Sequence, residues 1–137
     1  MLEAMKKQLI IHEGVRLKPY KCPAGKLTIG IGRNIEDNGI SQEEAEYLLD
    51  NDIARVTKEI TSRYQWFSEL NPVRQAVIID MVFNLGISRF SKFKNTIAYI
   101  EDADYTKAAT EMLDSQWAKQ VGNRAKTLAR QMRTGAI

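Results

Sequence analysis

The sequence has very few of the residues that form disulfides or bind metals. Its 137 residues include one cysteine and one histidine. One cysteine cannot form an internal disulfide, and one histidine with scattered acids gives no spacing typical of metal ligands. We therefore expect no internal disulfide, no bound metal, no cofactor and a reducing compartment as the place of synthesis.

Long hydrophobic runs are also missing. The longest apolar stretch near the N-terminus is Leu9-Ile10-Ile11, which is too short for a signal-peptide core or a membrane span. The sequence therefore predicts a protein without an export signal of its own. Hydrophobic residues make up 44% and charged residues 27% of the chain, as in an ordinary globular domain large enough to bury a core.

The net charge of +3 is unevenly distributed. Residues 34–61 are mainly acidic, whereas the chain from Ser115 onward carries lysines and arginines and no acidic side chain. A basic segment favours attraction to a polyanion such as nucleic acid, anionic lipid or the bacterial envelope. The other interpretation, which stays open, is an ordinary solvated surface.

Helices are predicted over most of the chain. Ser41-Gln42-Glu43-Glu44 is a capping box that opens a long helix ending near Thr61. Asn71-Pro72 opens a second, strongly apolar helix that Gly86 ends. Shorter helical patterns occupy four further segments: residues 3–12, 92–101, 104–114 and 123–133.

A small sheet is predicted between the first two helices. From Leu17 to Ile35 apolar residues alternate with Thr28 and two glycines, and Pro23-Ala24-Gly25 supplies a turn. Gly30 and Gly32 leave one sheet face without side chains, which predicts close approach by a backbone or a ligand. Another turn is expected at Asp37-Asn38-Gly39. The predicted fold class is mostly helical α+β: a small N-terminal lobe with a β-hairpin sheet, joined by a long helix to an all-helical C-terminal lobe.

Three residues of the hairpin region carry candidate chemistry: Glu13, Cys22 and Thr28. Taken singly, each has an ordinary explanation as a solvated glutamate, a small buried thiol and a strand residue. Because a hairpin returns on itself, however, residues nine and fifteen apart in sequence can converge. A lone acid facing two water-holding groups is what hydrolysis of a glycosidic bond requires.

The spacing of these three residues, followed by Ile29-Gly30-Ile31-Gly32, resembles the signature of the phage-type lysozymes, the glycoside hydrolases known as bacteriophage endolysins. That family has a Glu, then Asp or Cys, then Thr at these intervals. Further segments that resemble the family are Glu13–Tyr20, Asp80–Gly86, Trp117, Asn123–Lys126 and Arg133–Gly135.

The resemblance implies a muramidase with a lysozyme-like fold. It would form a single lysozyme domain over residues 1–137, with a β-containing lobe at about 13–60 and a helical lobe of 61–137 plus 1–12. In a cleft between the lobes, it would cleave the β-1,4 bond between N-acetylmuramic acid and N-acetylglucosamine. Glu13 would protonate the departing oxygen, while Cys22 and Thr28 would position or activate a water.

The resemblance also implies the stereochemistry and the substrate contacts. Water attack from the opposite face inverts the anomeric centre, whereas a covalent bond from sugar to Cys22 would retain it; both outcomes stay open. Phe83, Asn84 and Arg124 are the candidate substrate-binding residues, and Arg124 would approach Glu13.

The expected partners are peptidoglycan glycan strands and a holin-type protein that opens the inner membrane. We expect a monomer made in the host cytoplasm that acts in the periplasm after release, with weak contact to anionic membrane and no specific nucleic acid. Two other interpretations stay open. One is a non-catalytic basic protein that binds nucleic acid or the envelope; the other is a lysozyme fold that has lost catalysis, with Cys22 as its mark.

Overall fold

The structure is a computed structural model that describes all residues from Met1 to Ile137. Its elements follow in chain order as α1 (Leu2–Glu13), β1 (Arg16–Lys21), β2 (Leu27–Gly30), β3 (Arg33–Asn34), α2 (Ile35–Asn38), α3 (Gln42–Arg63), a 3₁₀ helix (Gln65–Glu69), α4 (Pro72–Leu85), α5 (Ile87–Phe90), α6 (Lys94–Glu101), α7 (Tyr105–Leu113), α8 (Gln116–Val121) and α9 (Asn123–Thr134).

The three strands form one antiparallel sheet in the order β1-β2-β3. On the central strand, Thr28 lies opposite Tyr20 on one side and opposite Asn34 on the other. A register shift between Arg16 and Tyr20 bends β1. Thr28 is the one buried residue of the first 48, at 3% exposure, so the centre of this sheet is also the best-shielded point of its region.

The long helix α3 begins with the predicted capping box. The Glu44 amide donates to Ser41 Oγ at 3.1 Å, and the Ser41 amide donates to the Glu44 carboxylate at 2.8 Å. These two bonds satisfy two amides that would otherwise lack partners at the helix start. The helix ends at Arg63, two residues beyond the predicted end.

Helix α4 is the central element of the hydrophobic core. Asn71 caps it by accepting from the Arg74 amide at 2.9 Å, Pro72 occupies its first turn, and Gly86 ends it, as predicted. Its buried side chains are Val77, Ile78, Met81 and Val82. The buried hydrophobic residues of the chain all lie from Val56 onward, and both tryptophans, Trp66 and Trp117, are among them.

The remaining helices agree with the predicted pattern, with additions. Helices α6, α7 and α9 occupy the three predicted C-terminal segments. Four short elements were not predicted: α2, the 3₁₀ helix, α5 and α8. The expected turn at Asp37-Asn38-Gly39 is in fact the end of α2, which Asn34 caps and Gly39 terminates with a φ of 60°.

The chain divides into two compact units, Met1–Leu48 and Leu49–Ile137. The first holds the sheet and the second is entirely helical, which confirms the predicted α+β fold class. The boundary between the two units falls within α3, after Leu48, and α1 belongs to the first unit. The single lysozyme domain over residues 1–137, with lobes at about 13–60 and at 61–137 plus 1–12, stays a prediction. None of the helices combines the length and the apolar character that a membrane span requires.

Candidate functional site

Glu13 is the last residue of α1, and its carboxylate lies against Gly32. Gly14 ends the helix with a φ of 73°, and its amide donates to Ile10 O at 2.8 Å. A Cβ placed on Gly32 would come within 2.6 Å of Glu13 Oε2, so a side chain at this position would displace the carboxylate. Gly32 itself has a φ of 68°. The neighbour at Gly32 is the Glu13 side chain rather than the predicted backbone or ligand, and a Cβ on Gly30 would meet no atom within 4 Å.

The turn that joins β1 to β2 brings Cys22 and Thr28 together. The Cys22 amide donates to Lys26 O at 2.9 Å, and the Gly25 amide donates to Cys22 O at 2.8 Å. Thr28, two residues after Lys26, donates its hydroxyl proton to Lys26 O at 2.9 Å. The Cys22 amide and the Thr28 hydroxyl therefore donate to the same carbonyl, Lys26 O, at the end of the sheet where the turn lies.

The local hydrogen bonds favour the thiolate form of Cys22. They lower the pKa of the thiol from its ordinary value, first through the Lys26 amide and then through the Ala24 amide and the Thr28 hydroxyl, while desolvation opposes them. The hydroxyl of Thr28 has a single proton, so at any moment it serves either Lys26 O or the sulfur. Formation of the thiolate therefore favours rotation of this hydroxyl toward the sulfur.

Two of the three predicted substrate-binding residues share a cavity in the second unit. Phe83, 44% exposed, and Arg124 both line a mainly apolar space of about 360 Å³. Arg124 is held there by Asp80: Nε donates to Asp80 Oδ1 at 2.8 Å, and Nη2 lies 2.7 Å from the same oxygen. The approach of Arg124 to Glu13 stays a prediction.

Asn84, the third predicted substrate-binding residue, lines a different part of the surface. Its Oδ1 accepts a hydrogen bond from the indole nitrogen of Trp117 at 2.8 Å. Trp117 is 4% exposed and lines a second cavity of about 490 Å³. The Asn84 amide NH₂ donates to no protein group, so it is available to a ligand.

Asp80 is a site residue that the sequence interpretation missed. The segment Asp80–Gly86 resembles the family, but its sequence assigns Asp80 no function of its own. Asp80 lies 44 positions before Arg124. No helical or hairpin spacing relates positions that far apart, so only packing of α9 against α4 reveals the pair. The structure contains no group of three or more His, Cys, Asp or Glu side chains suited to a metal ion.

Residues 11–134 match the family model described as phage lysozyme. The chain belongs to the phage lysozyme family. It is 30% identical to the probable T4-type lysozyme 1 of Dictyostelium discoideum, over all of this chain and 98% of that protein.

Two phage proteins extend the family relationship. The chain is 35% identical to the endolysin of Acyrthosiphon pisum secondary endosymbiont phage 1, over 82% of this chain and 77% of that one. It is 29% identical to the SAR-endolysin of Escherichia phage Mu, over 92% of this chain and 73% of that one. Membership of the phage lysozyme family supports a glycosidase that lyses peptidoglycan.

Proposed function

We propose that this protein is a muramidase that cleaves the β-1,4 bond between N-acetylmuramic acid and N-acetylglucosamine, and that it serves host-cell lysis by a phage. The observation that carries the proposal is the Glu13 carboxylate lying beside Gly32, in the unit where Cys22 and Thr28 share a turn. An acid and a pair of water-holding groups are the two parts that glycoside hydrolysis needs.

Glu13 is the proposed general acid. It is the last residue of α1, at the point where the helix gives way to the loop that leads into β1. The absence of a side chain at Gly32 leaves the carboxyl group room beside the strand. A protonated carboxyl group can deliver its proton to the glycosidic oxygen, so the leaving sugar departs as a neutral hydroxyl when that bond breaks.

Cys22 and Thr28 are the proposed water-positioning pair. A thiolate accepts a hydrogen bond from water and places a negative charge near the sugar ring, where positive charge develops in the transition state. The buried Thr28 hydroxyl can donate its one proton to the thiolate and accept a hydrogen bond from the water. Attack by that water on the face opposite Glu13 would invert the anomeric centre, with the two catalytic groups separated by about 6.5–9.5 Å in an inverting site.

Phe83, Asn84 and Arg124 are the proposed substrate contacts. An exposed aromatic face packs against the apolar face of a sugar ring, and the Asn84 amide can donate to an acetamido carbonyl. The glycan strand is the proposed substrate of a monomeric enzyme. It would be made in the host cytoplasm and would reach the periplasm once a holin-type protein opens the inner membrane.

Cell clearing tests the enzymatic proposal. Outer-membrane-permeabilised Gram-negative cells are treated with wild type, Glu13→Gln and, as a matched control, Glu3→Gln at the exposed start of α1. We expect clearing by wild type and Glu3→Gln and at least a hundredfold slower clearing by Glu13→Gln, because general acid catalysis contributes about 10²–10⁴-fold. Equal clearing by all three, or by none, would reject the proposal; circular dichroism checks that each variant is folded.

Product analysis tests the bond that is cleaved. Borohydride reduction of digested peptidoglycan should label newly formed muramic acid ends, since a muramidase leaves that sugar at the reducing position. Glucosamine ends would contradict the proposed bond. The anomer formed first, followed by NMR, distinguishes inversion by water from retention through a sulfur–sugar bond.

A further inference from the structure

A cationic groove lies between α7 and α9 in the second unit, apart from the residues discussed above. It has a volume of about 210 Å³. Helix α9 contributes Lys126, Arg130 and Arg133, and α7 contributes Thr106, Thr110 and Leu113. We call it the α7–α9 groove; two buried alanines complete its lining.

The three cations of this groove have no acidic partner. Lys126, Arg130 and Arg133 are spaced by four and three residues, so they lie along one face of α9. None of them forms a salt bridge, whereas Arg124 on the same helix is paired with Asp80. No acidic residue lines the groove.

The acidic side chains of α7 and of the residues at its two ends line another cavity or pair with another lysine. Glu111 and the following Asp114 line the cavity beside Trp117 instead. Asp104, the cap of α7, lies 3.8 Å from Lys107. The positive charge of the groove is therefore uncompensated by its immediate surroundings.

We propose that the α7–α9 groove binds the phosphate diesters of a linear anionic polymer of the bacterial envelope, a chain of glycerol phosphate or sugar phosphate. Arginine presents a planar fork of donors that matches two phosphate oxygens, and lysine adds a mobile charge. On the opposite wall, the Thr106 hydroxyl can donate to the same phosphate. Thr110 donates its hydroxyl proton to Thr106 O at 3.1 Å, so it can accept from a glycerol or sugar hydroxyl.

The lining of the groove favours this polymer over nucleic acid and over a lipid bilayer. Sites for single-stranded nucleic acid stack bases on aromatic side chains, and no aromatic residue lines this groove. Segments that dock on anionic membranes carry about four to eight basic residues together with apolar ones. Here there are three basic residues and one exposed apolar side chain, Leu113.

Binding at this groove would hold the enzyme on the envelope independently of hydrolysis. The attachment is electrostatic at exposed side chains, so it weakens as salt rises. Between cuts, the enzyme would remain near glycan strands rather than diffuse away.

Polymer binding tests the proposal. The probe is poly(glycerol phosphate) of defined length, titrated at several salt concentrations. The groove variant combines Lys126→Gln, Arg130→Gln and Arg133→Gln. The matched control combines Lys7→Gln, Lys18→Gln and Lys58→Gln, which removes the same charge from exposed lysines that form no salt bridge.

We expect the groove variant to bind the polymer at least tenfold more weakly and the control within twofold of wild type. The slope of log affinity against log salt should fall by about 2 in the groove variant, since each neutralised phosphate on a single strand contributes about 0.7. Hydrolysis of phosphate-free peptidoglycan should be unchanged in both. Equal losses in the two triple variants would show a net-charge effect and overturn the proposal.

Further probes separate the sources of negative charge. Polyglutamate tests carboxylate polymers, a single-stranded oligonucleotide tests nucleic acid, and phosphatidylglycerol vesicles test membrane. The proposal fails if the groove variant loses affinity for any of these probes by as large a factor as it does for poly(glycerol phosphate). Arg130→Lys keeps the charge but loses the planar fork of donors, so it should give an intermediate affinity for the polymer. If the triple groove variant loses all binding and its circular dichroism spectrum also changes, that variant has unfolded, and Thr106→Val is used instead. We expect Thr106→Val to weaken polymer binding; unchanged binding would overturn the proposal.

Discussion

Gly32 touches the carboxylate that the proposed mechanism needs, and it does so through the absence of a side chain. Two features disfavour a side chain at Gly32: its positive φ of 68°, and the position of Glu13 Oε2, which would lie 2.6 Å from a Cβ. At Gly30 only the backbone feature applies, because its φ is 72° but a Cβ there would meet no atom within 4 Å. The two glycines therefore form a natural matched pair for an experiment.

Gly32→Ala and Gly30→Ala should lose similar stability, but only Gly32→Ala should also lose lytic activity. Either Gly32→Ala or Gly30→Ala should cost about 1–3 kcal/mol of unfolding free energy, because alanine is strained at positive φ. Only Gly32→Ala displaces the Glu13 carboxylate, and we expect it to lower the lytic rate at least tenfold. Thermal unfolding and cell clearing measured on both variants check this; similar lytic rates would mean that the Gly32 contact does not position Glu13.

Cys22 should react with alkylating agents at lower pH than an ordinary thiol does. Hydrogen bonds from the Lys26 amide and others lower the pKa of the thiol, so the thiolate forms earlier as pH rises. Thr28→Val removes one of those bonds and should shift the alkylation profile back toward higher pH. The measurement is the iodoacetamide rate against pH, with urea-unfolded protein as the reference.

Loss of lytic activity should accompany the alkylation of Cys22 if the thiol positions water. Cys22→Ala should then show a lower lytic rate as well, with an unchanged circular dichroism spectrum. Full activity in both the alkylated protein and Cys22→Ala would remove Cys22 from the mechanism and would leave the roles of Glu13 and Thr28 to be tested separately.

Single residues also show how far the sequence could predict the site. The glycine spacing predicted close approach by a backbone or a ligand at Gly30 and Gly32, whereas the structure shows the Glu13 side chain, at Gly32 alone. Local sequence indicates the missing side chain, but which group occupies the space depends on how the chain folds. The pair of Asp80 and Arg124 could not be predicted, since it depends on how two distant helices pack. The catalytic roles of Glu13, Cys22 and Thr28 stay predictions.

Among the elements, the start of α3 combines two stabilising features on one glutamate. Glu44 closes the capping box with Ser41 and also pairs with Arg33, whose Nη2 lies 2.7 Å from Glu44 Oε2. The Arg33 guanidinium, then the Ser41 amide, lowers the pKa of the Glu44 carboxyl from 4.5 to about 2. The strand β3 and the helix α3 are thus linked through one ionised side chain.

The stability supplied by Glu44 should depend on pH in a defined direction. Because its pKa is lower in the folded state, the contribution is present above about pH 4.5 and is lost as pH falls to about 2. Glu44→Gln should remove that dependence while leaving an oxygen to accept from the Ser41 amide. Urea unfolding at pH 6, 4 and 2.5 checks this, with Glu43→Gln, one residue earlier, as the control; equal pH profiles for wild type and Glu44→Gln would contradict it.

Long helices were predictable and short ones were not, for a physical reason. Helices α3 and α4 carry caps and several turns of apolar periodicity, so their local signals agree over many residues. Helix α8 has six residues and depends on one cap, in which Ser115 Oγ accepts from the Ala118 amide at 3.1 Å. Over fewer than two turns, such a cap cannot be distinguished in sequence from an ordinary turn.

Across the whole molecule, burial is unequal between the two units. The second unit holds the hydrophobic core, centred on α4, whereas Thr28 is the one buried residue of the first. Buried apolar area is the main source of stability, so cooperative resistance to unfolding should concentrate in residues 49–137. The sequence predicted this division from the apolar α4 pattern, but the boundary within α3 could not be read from a helix whose periodicity is continuous.

Hydrogen exchange should follow the same division. Amides of Val77–Val82 should exchange most slowly, and those of β1 and β3 should exchange through local opening at lower free energy. Met81→Ala should cost about 2–5 kcal/mol because Met81 is fully buried, whereas Ile11→Ala at 80% exposure should change stability by less than about 0.5 kcal/mol. Uniform protection across both units would contradict this expectation.

The placement of both tryptophans has a spectroscopic consequence. Trp66 and Trp117 lie in the second unit, and the first has none. Intrinsic tryptophan fluorescence therefore reports on the helical unit. During denaturation, this fluorescence can keep its native value after the sheet beside Glu13 has already unfolded. In this protein, catalytic inactivation should precede the fluorescence change, and a tryptophan introduced at Tyr20 would make the earlier step visible.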